Sequence, residues 1–165
     1  MTPVFVRQLF AEHVTASEMD LDAWVTFCIA WRFKTFPASQ AYLFRALAAG
    51  SDRLSEEMVC RGGCNASPCT HTDPCTHPHQ LRQLLSAVHD RWVAAGHDGI
   101  RVEDLLHEVC DMTRVPRSRS IALRDLQSSG VAAMVLGLLV DEQQFSAFET
   151  VEAALSDTPE AAPLT

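Results

Sequence analysis

Ser17-Glu18-Met19-Asp20-Leu21-Asp22-Ala23-Trp24-Val25-Thr26-Phe27-Cys28-Ile29-Ala30-Trp31-Arg32 is the segment that sets the fold class. Its first four residues have the form of a capping box, in which a hydroxyl side chain and an acid three positions on satisfy the first free N–H groups of a helix. Leu21, Trp24, Val25, Cys28 and Trp31 then follow at steps of three and four, the spacing of one face of an α-helix. Phe27, Phe33 and Phe36 widen that stripe, so the pattern predicts a central helix that ends at Pro37. Cys28 is expected to be a core residue within it.

The same period recurs on both sides. Thr2-Pro3 reads as an N-cap with proline at the first helical position, opening a helix to about His13. A third helix is expected over 38–49, stopped by Gly50, and a fourth from Ser51 or Asp52 to about Cys60, where Gly62-Gly63 breaks the chain. A fifth, over 79–95, carries Leu81, Leu84, Leu85, Val88 and Trp92 on one face. Ile100-Arg101-Val102 is short enough to be extended. A sixth helix runs from Glu103 to Thr113, and a seventh, capped by Ser118 or Ser120, through Leu126. Residues 131–155 form one long helix or two divided near Asp141. No internal repeat is visible, and no alternating pattern lasts beyond three or four residues. The expected fold is all-α, an irregular bundle of about seven to eight helices forming one domain over 1–156, with a flexible tail at 157–165.

Composition narrows the function. Hydrophobic residues make up 47% of 165 residues, enough for a real core. The net charge of −8 opposes general affinity for nucleic acid or anionic membrane. The longest apolar run, Val131 to Val140, is about half of what a membrane span needs. No secretory signal is visible, because Arg7, Glu12 and His13 interrupt the first apolar stretch. An intracellular, reducing location (cytoplasm or nucleus) is therefore expected. There, clustered cysteines serve as metal ligands more readily than as disulfides.

Residues 60–79 concentrate that chemistry. Cys60, Cys64, Cys69, His71, Cys75, His77 and His79 place seven soft or borderline ligands within 20 residues, among Gly62, Gly63, Pro68, Pro74 and Pro78. Zinc takes four such ligands at tetrahedral corners, and a segment with almost no large apolar side chain needs metal binding to order it. His107 and Cys110, at i and i+3 of the sixth helix, offer a further pair, so one or two zinc ions are expected. A solvated loop with incidental spacing, or disulfides joining Cys60 or Cys64 to Cys69 or Cys75, are the competing explanations.

The spacing Cys60-x8-Cys69-x5-Cys75-x3-His79 resembles that of CCCH zinc fingers over these 20 residues. The resemblance implies those four residues as ligands and single-stranded RNA as a partner. Members of that family stack bases on aromatic residues around the zinc, whereas this loop has none, and Arg61 is its single base.

No catalytic motif accompanies the loop. His-Glu-x-x-His, the deaminase pair of motifs, Gly-x-Ser-x-Gly and a phosphate-binding glycine loop are all absent. Arg114, Arg117, Arg119 and Arg124 form the single basic cluster of an acidic chain, a candidate contact for phosphate or an acidic partner. The expected function is a non-enzymatic, zinc-stabilised helical regulatory or adaptor protein that binds another protein or itself as a homodimer. A nucleic-acid-binding regulatory protein is the alternative, and a zinc-dependent hydrolase the third.

Overall fold

The computed structural model describes residues 1–14, 18–54, 80–97, 100–116 and 119–156. In chain order these form α1 (Pro3–His13), α2 (Leu21–Arg32), α3 (Pro37–Leu47), β1 (Arg53–Leu54), α4 (Gln80–Ala94), α5 (Val102–Thr113), β2 (Ile121–Ala122), α6 (Leu123–Ser128), α7 (Ala132–Leu138) and α8 (Glu142–Ser156). The chain is mostly helical, as expected. β1 and β2 add one antiparallel bridge that pairs Arg53 with Ala122 and Leu54 with Ile121.

The helix ends follow local chemistry. The Thr2 hydroxyl accepts from the Phe5 N–H and Pro3 opens α1, as the sequence predicts. Asp20 caps α2 by accepting from the Ala23 N–H at 2.8 Å. α2 stops at Arg32, well short of Pro37, and that proline instead begins α3. Buried Gln80 opens α4 and donates from its amide at 3.0 Å to the Ala48 carbonyl, which also accepts from the Ser51 N–H at 2.9 Å where α3 ends. α5 closes on Arg114 in the left-handed region, at φ 56°.

Three expectations change at the bridge and the adjoining turn. Helix does not begin at Ser51 or Asp52, because 53–54 pair as a strand. Ser120 does not cap a helix, because Ile121 and Ala122 are the second strand and α6 starts at Leu123, while Ser118 lies outside the described residues. Val102, expected in an extended stretch, is the first residue of α5. Strand pairs of two residues leave no periodic signature, since their partners lie 67 and 69 positions apart. The apolar run after Gly130 resolves into α7 and α8, divided at Asp141.

The largest correction concerns the centre. α3, and not α2, is the helix most enclosed by others. It packs on α1, α2, α6 and α7 and buries Ser39, Gln40, Leu43, Phe44, Ala46 and Leu47. α4 is the second hub, lying on α1, α5 and α8 with Leu81, Leu84, Leu85, Val88 and Trp92 inward. α2 buries only Phe27 and Ala30 among its twelve residues, and Cys28, expected in the core, is exposed. The spacing of α2 does give a helix, but its apolar residues occupy both faces, and the bundle covers one of them.

The two faces should respond differently to truncation. Phe44→Ala, at a site 2% exposed, is expected to lower unfolding free energy by about 3–5 kcal/mol in urea titration. Ile29→Ala, at a site 53% exposed, should change it by no more than about 0.5 kcal/mol. A comparable loss at both positions contradicts this assignment of core and surface.

Candidate functional site

Two surfaces follow from this packing. The first is the outer face of α2. Phe27, Ala30 and the half-buried Trp31 and Lys34 point toward the bundle, which turns Leu21, Trp24, Val25, Cys28 and Ile29 outward together. Leu21 is 74% exposed, Trp24 53% and Val25 44%. The patch continues past the helix end through exposed Phe33 and Phe36, whose rings meet edge to face at 6.0 Å. Such contiguous exposure of large apolar side chains is uncommon on a monomer and characteristic of protein-binding surfaces.

The inner edge of the same element is tied down. The Lys34 ammonium lies 3.7 Å from the centre of the Trp31 ring and donates to the Gln144 carbonyl at 3.0 Å. Burial pushes its pKa down, against the opposing pull of Asp141. Gly137 faces the Gln144 side chain so closely that a Cβ there would overlap it, so glycine in α7 permits this contact between α2 and α8. The exposed patch is thus carried on an anchored helix.

The second surface is the turn around β2. The Arg119 guanidinium pairs with Asp125 at 3.0 Å, and Arg124 lies 3.9 Å from the same carboxylate. Asp125 also accepts from the Ala122 N–H at 3.1 Å, and Arg53 donates to the Ser120 carbonyl at 3.3 Å. Arg114 is exposed at the end of α5. Asp125 directly follows the four arginines in sequence and neutralises part of the cluster. Arg117 lies outside the described residues.

Cys60, Cys64, Cys69, His71, Cys75, His77 and His79 also lie outside the described residues. Of the remaining ligand pair, Cys110 is buried in α5 while His107 is exposed. Among the described residues no group of three or more His, Cys, Asp or Glu is arranged to hold a metal. The other histidines have structural roles. His89 Nε2 lies 2.9 Å from the Ile100 carbonyl, His13 Nε2 3.0 Å from that of Tyr42, and His97 stacks on Trp92. A carbonyl only accepts, so Nε2 carries the proton in both bonds. No described helix is long and apolar enough to cross a membrane.

No family model matches the chain. It is similar to TON2 of Arabidopsis thaliana, a probable B''-type regulatory component of serine/threonine-protein phosphatase 2A, with 26% identity over 165 residues. That match covers 95% of this chain and 30% of the plant protein. The gamma form of the B'' regulatory component of the same phosphatase in Homo sapiens is 25% identical over 161 residues, 97% of this chain and 31% of its own length. The chain shares its fold with a PP2A PR70 holoenzyme structure that contains calcium, at a TM-score of 0.68 and 20% identity, over 87% of this chain and 47% of that one. The chain therefore spans about 30% of the length of the curated relatives it matches. These relatives are regulatory and not catalytic subunits, in agreement with the non-enzymatic role expected from the sequence.

Calcium in that neighbour raises the question whether the β2 turn holds it. A twelve-residue calcium loop between helices supplies oxygen from positions one, three, five, seven, nine and twelve, with glycine at six. Counted from Arg114 to Asp125, those positions are Arg114, Pro116, Ser118, Ser120, Ala122 and Asp125, with Arg119 at six. Arg114, Pro116 and Ala122 carry no side-chain oxygen, Ser118 and Ser120 carry only hydroxyls, and the one carboxylate, Asp125, is already bonded to Arg119 and to the Ala122 N–H. Aligned through the Leu54–Ile121 pair, the β1 turn offers Leu47, Ala49, Ser51 and Arg53 at its first four ligand positions. Neither turn has a calcium donor set. Millimolar calcium is accordingly expected to leave the melting temperature unchanged, while Asp125→Asn lowers stability by about 1 kcal/mol with or without calcium. A calcium-dependent rise in melting temperature that Asp125→Asn removes contradicts this.

Proposed function

We propose that this chain is a non-enzymatic, intracellular regulatory adaptor module that works by binding protein, with a phosphatase 2A assembly as its partner. The single observation that carries this is the extent of similarity to B''-type regulatory proteins, which runs over 95–97% of the chain. The exposed apolar patch on α2 supports binding through protein. The Arg119–Asp125 pair weakens the case for nucleic acid, because part of the basic cluster is already neutralised. Purified chain should bind the reconstituted catalytic and scaffold subunits of phosphatase 2A in fluorescence polarisation at physiological salt. Absence of binding at tens of micromolar contradicts the proposal.

We also propose zinc at residues 60–79, from the density of Cys60, Cys64, Cys69, Cys75 and the adjoining histidines. The placement of α4 supports participation by α5. Arg82, three residues beyond His79, pairs with Glu103 at 2.7 Å, and Glu103 lies one helical turn from His107. Elemental analysis should give one to two zinc ions per chain, with Cys69→Ser and Cys75→Ser each losing metal and Cys28→Ser retaining it. Protein purified without chelator that carries no metal contradicts this.

A further inference from the structure

We infer that two arginines, Arg119 and Arg53, take the place of calcium in the paired β1 and β2 turns. The geometry of these turns, and the phosphatase binding on whose proposal above this inference rests, are then independent of calcium. Counted as a twelve-residue calcium loop from Arg114, the β2 turn presents two ligand groups among the described residues: the position-seven carbonyl of Ser120 and the position-twelve carboxylate of Asp125. Each is bonded to a guanidinium. Arg119 reaches Asp125 Oδ1 at 3.0 Å, and Arg53, from the other turn, donates to the Ser120 carbonyl at 3.3 Å. Asp125 Oδ2 accepts from the Ala122 N–H at 3.1 Å, so both oxygens of the carboxylate are engaged. Aligned through the Leu54–Ile121 pair, position seven of the β1 turn is Arg53 itself, and the Ser51 hydroxyl donates to its carbonyl at 3.1 Å.

Electrostatics explains why a cation is needed here and why it is not a metal. The Asp125 side chain is 15% exposed, and a carboxylate largely out of water needs a positive partner. In a calcium loop the ion supplies that charge. Here Arg119 supplies it from position six, where such a loop has glycine. Arg53 spans from β1 to the residue just before β2, and so fastens one turn to the other beside their bridge. The same groups keep the ion out. Calcium on the Ser120 carbonyl, at roughly 2.4 Å, would stand within about 6 Å of the Arg53 nitrogen, and like charges at that range repel. A guanidinium stays protonated near neutrality and is covalently attached, so the turns carry the same charge whatever the calcium concentration.

Hydrogen exchange at the Ala122 amide and polarisation binding to the phosphatase 2A core test this together. Each is measured in chelator and at about 5 mM calcium, above the dissociation constants of weak calcium loops. For the unmodified chain, both readings should agree within two-fold between the two conditions. Arg119→Gln and Arg53→Gln should each speed Ala122 exchange by about three-fold, a loss in keeping with partly exposed groups, and calcium should not reverse it. Arg119→Lys, which keeps the charge, should stay within two-fold of the unmodified chain. Calcium that changes Ala122 exchange or phosphatase affinity of the unmodified chain by more than two-fold overturns the inference. So does a glutamine variant that exchanges at the unmodified rate, or an Arg119→Lys chain that exchanges as fast as Arg119→Gln. Exchange needs no partner. A chain that fails to bind the phosphatase core therefore removes the proposed function, while the exchange readings still decide the role of the two arginines.

Discussion

Leu43, Phe44, Ala46 and Leu47 lie almost fully out of water on α3, and so do Ser39 and Gln40 at its start. A helix of eleven residues cannot hold itself together in water and is stable only if its neighbours cover it. α1, α2, α6 and α7 do so, and each thereby acquires its position. The Gln80 amide on the Ala48 carbonyl joins the end of α3 to the start of α4, the second hub. The Leu54–Ile121 pair continues the same connection, bringing the segment after α3 against the segment before α6. Both residues of that pair are buried, so the bridge belongs to the core.

The exposure of α2 is a consequence of this arrangement. Once α3 is enclosed, only one side of α2 touches the bundle, through Phe27 and Ala30. Tethers from Lys34 to Gln144 and to the Trp31 ring hold the end of the helix in place. An apolar face on an anchored helix loses little conformational freedom on binding, which favours its use as a recognition surface. The β2 turn differs in kind: Arg119 and Arg124 lie beside Asp125, and Arg114 stands where a calcium loop has its first ligand. The shared fold of the calcium-containing neighbour therefore coexists here with a turn held by an internal ion pair.

The helices of this protein are written in its sequence because a 3.6-residue period and its caps are local. Thr2-Pro3 at the start of α1, the leucines of α4 and the division at Asp141 all carried through. The ligand-rich run of 60–79 is equally legible as a run, since it depends on residue type alone, and it lies outside the described residues. Tertiary structure alone decided which helix is central, that Cys28 faces water, that 53–54 and 121–122 pair, and that Asp125 neutralises Arg119. The physical reason is the same in each case. A side chain's periodicity is fixed by its own helix, but its burial and its partners are fixed by segments tens of residues away.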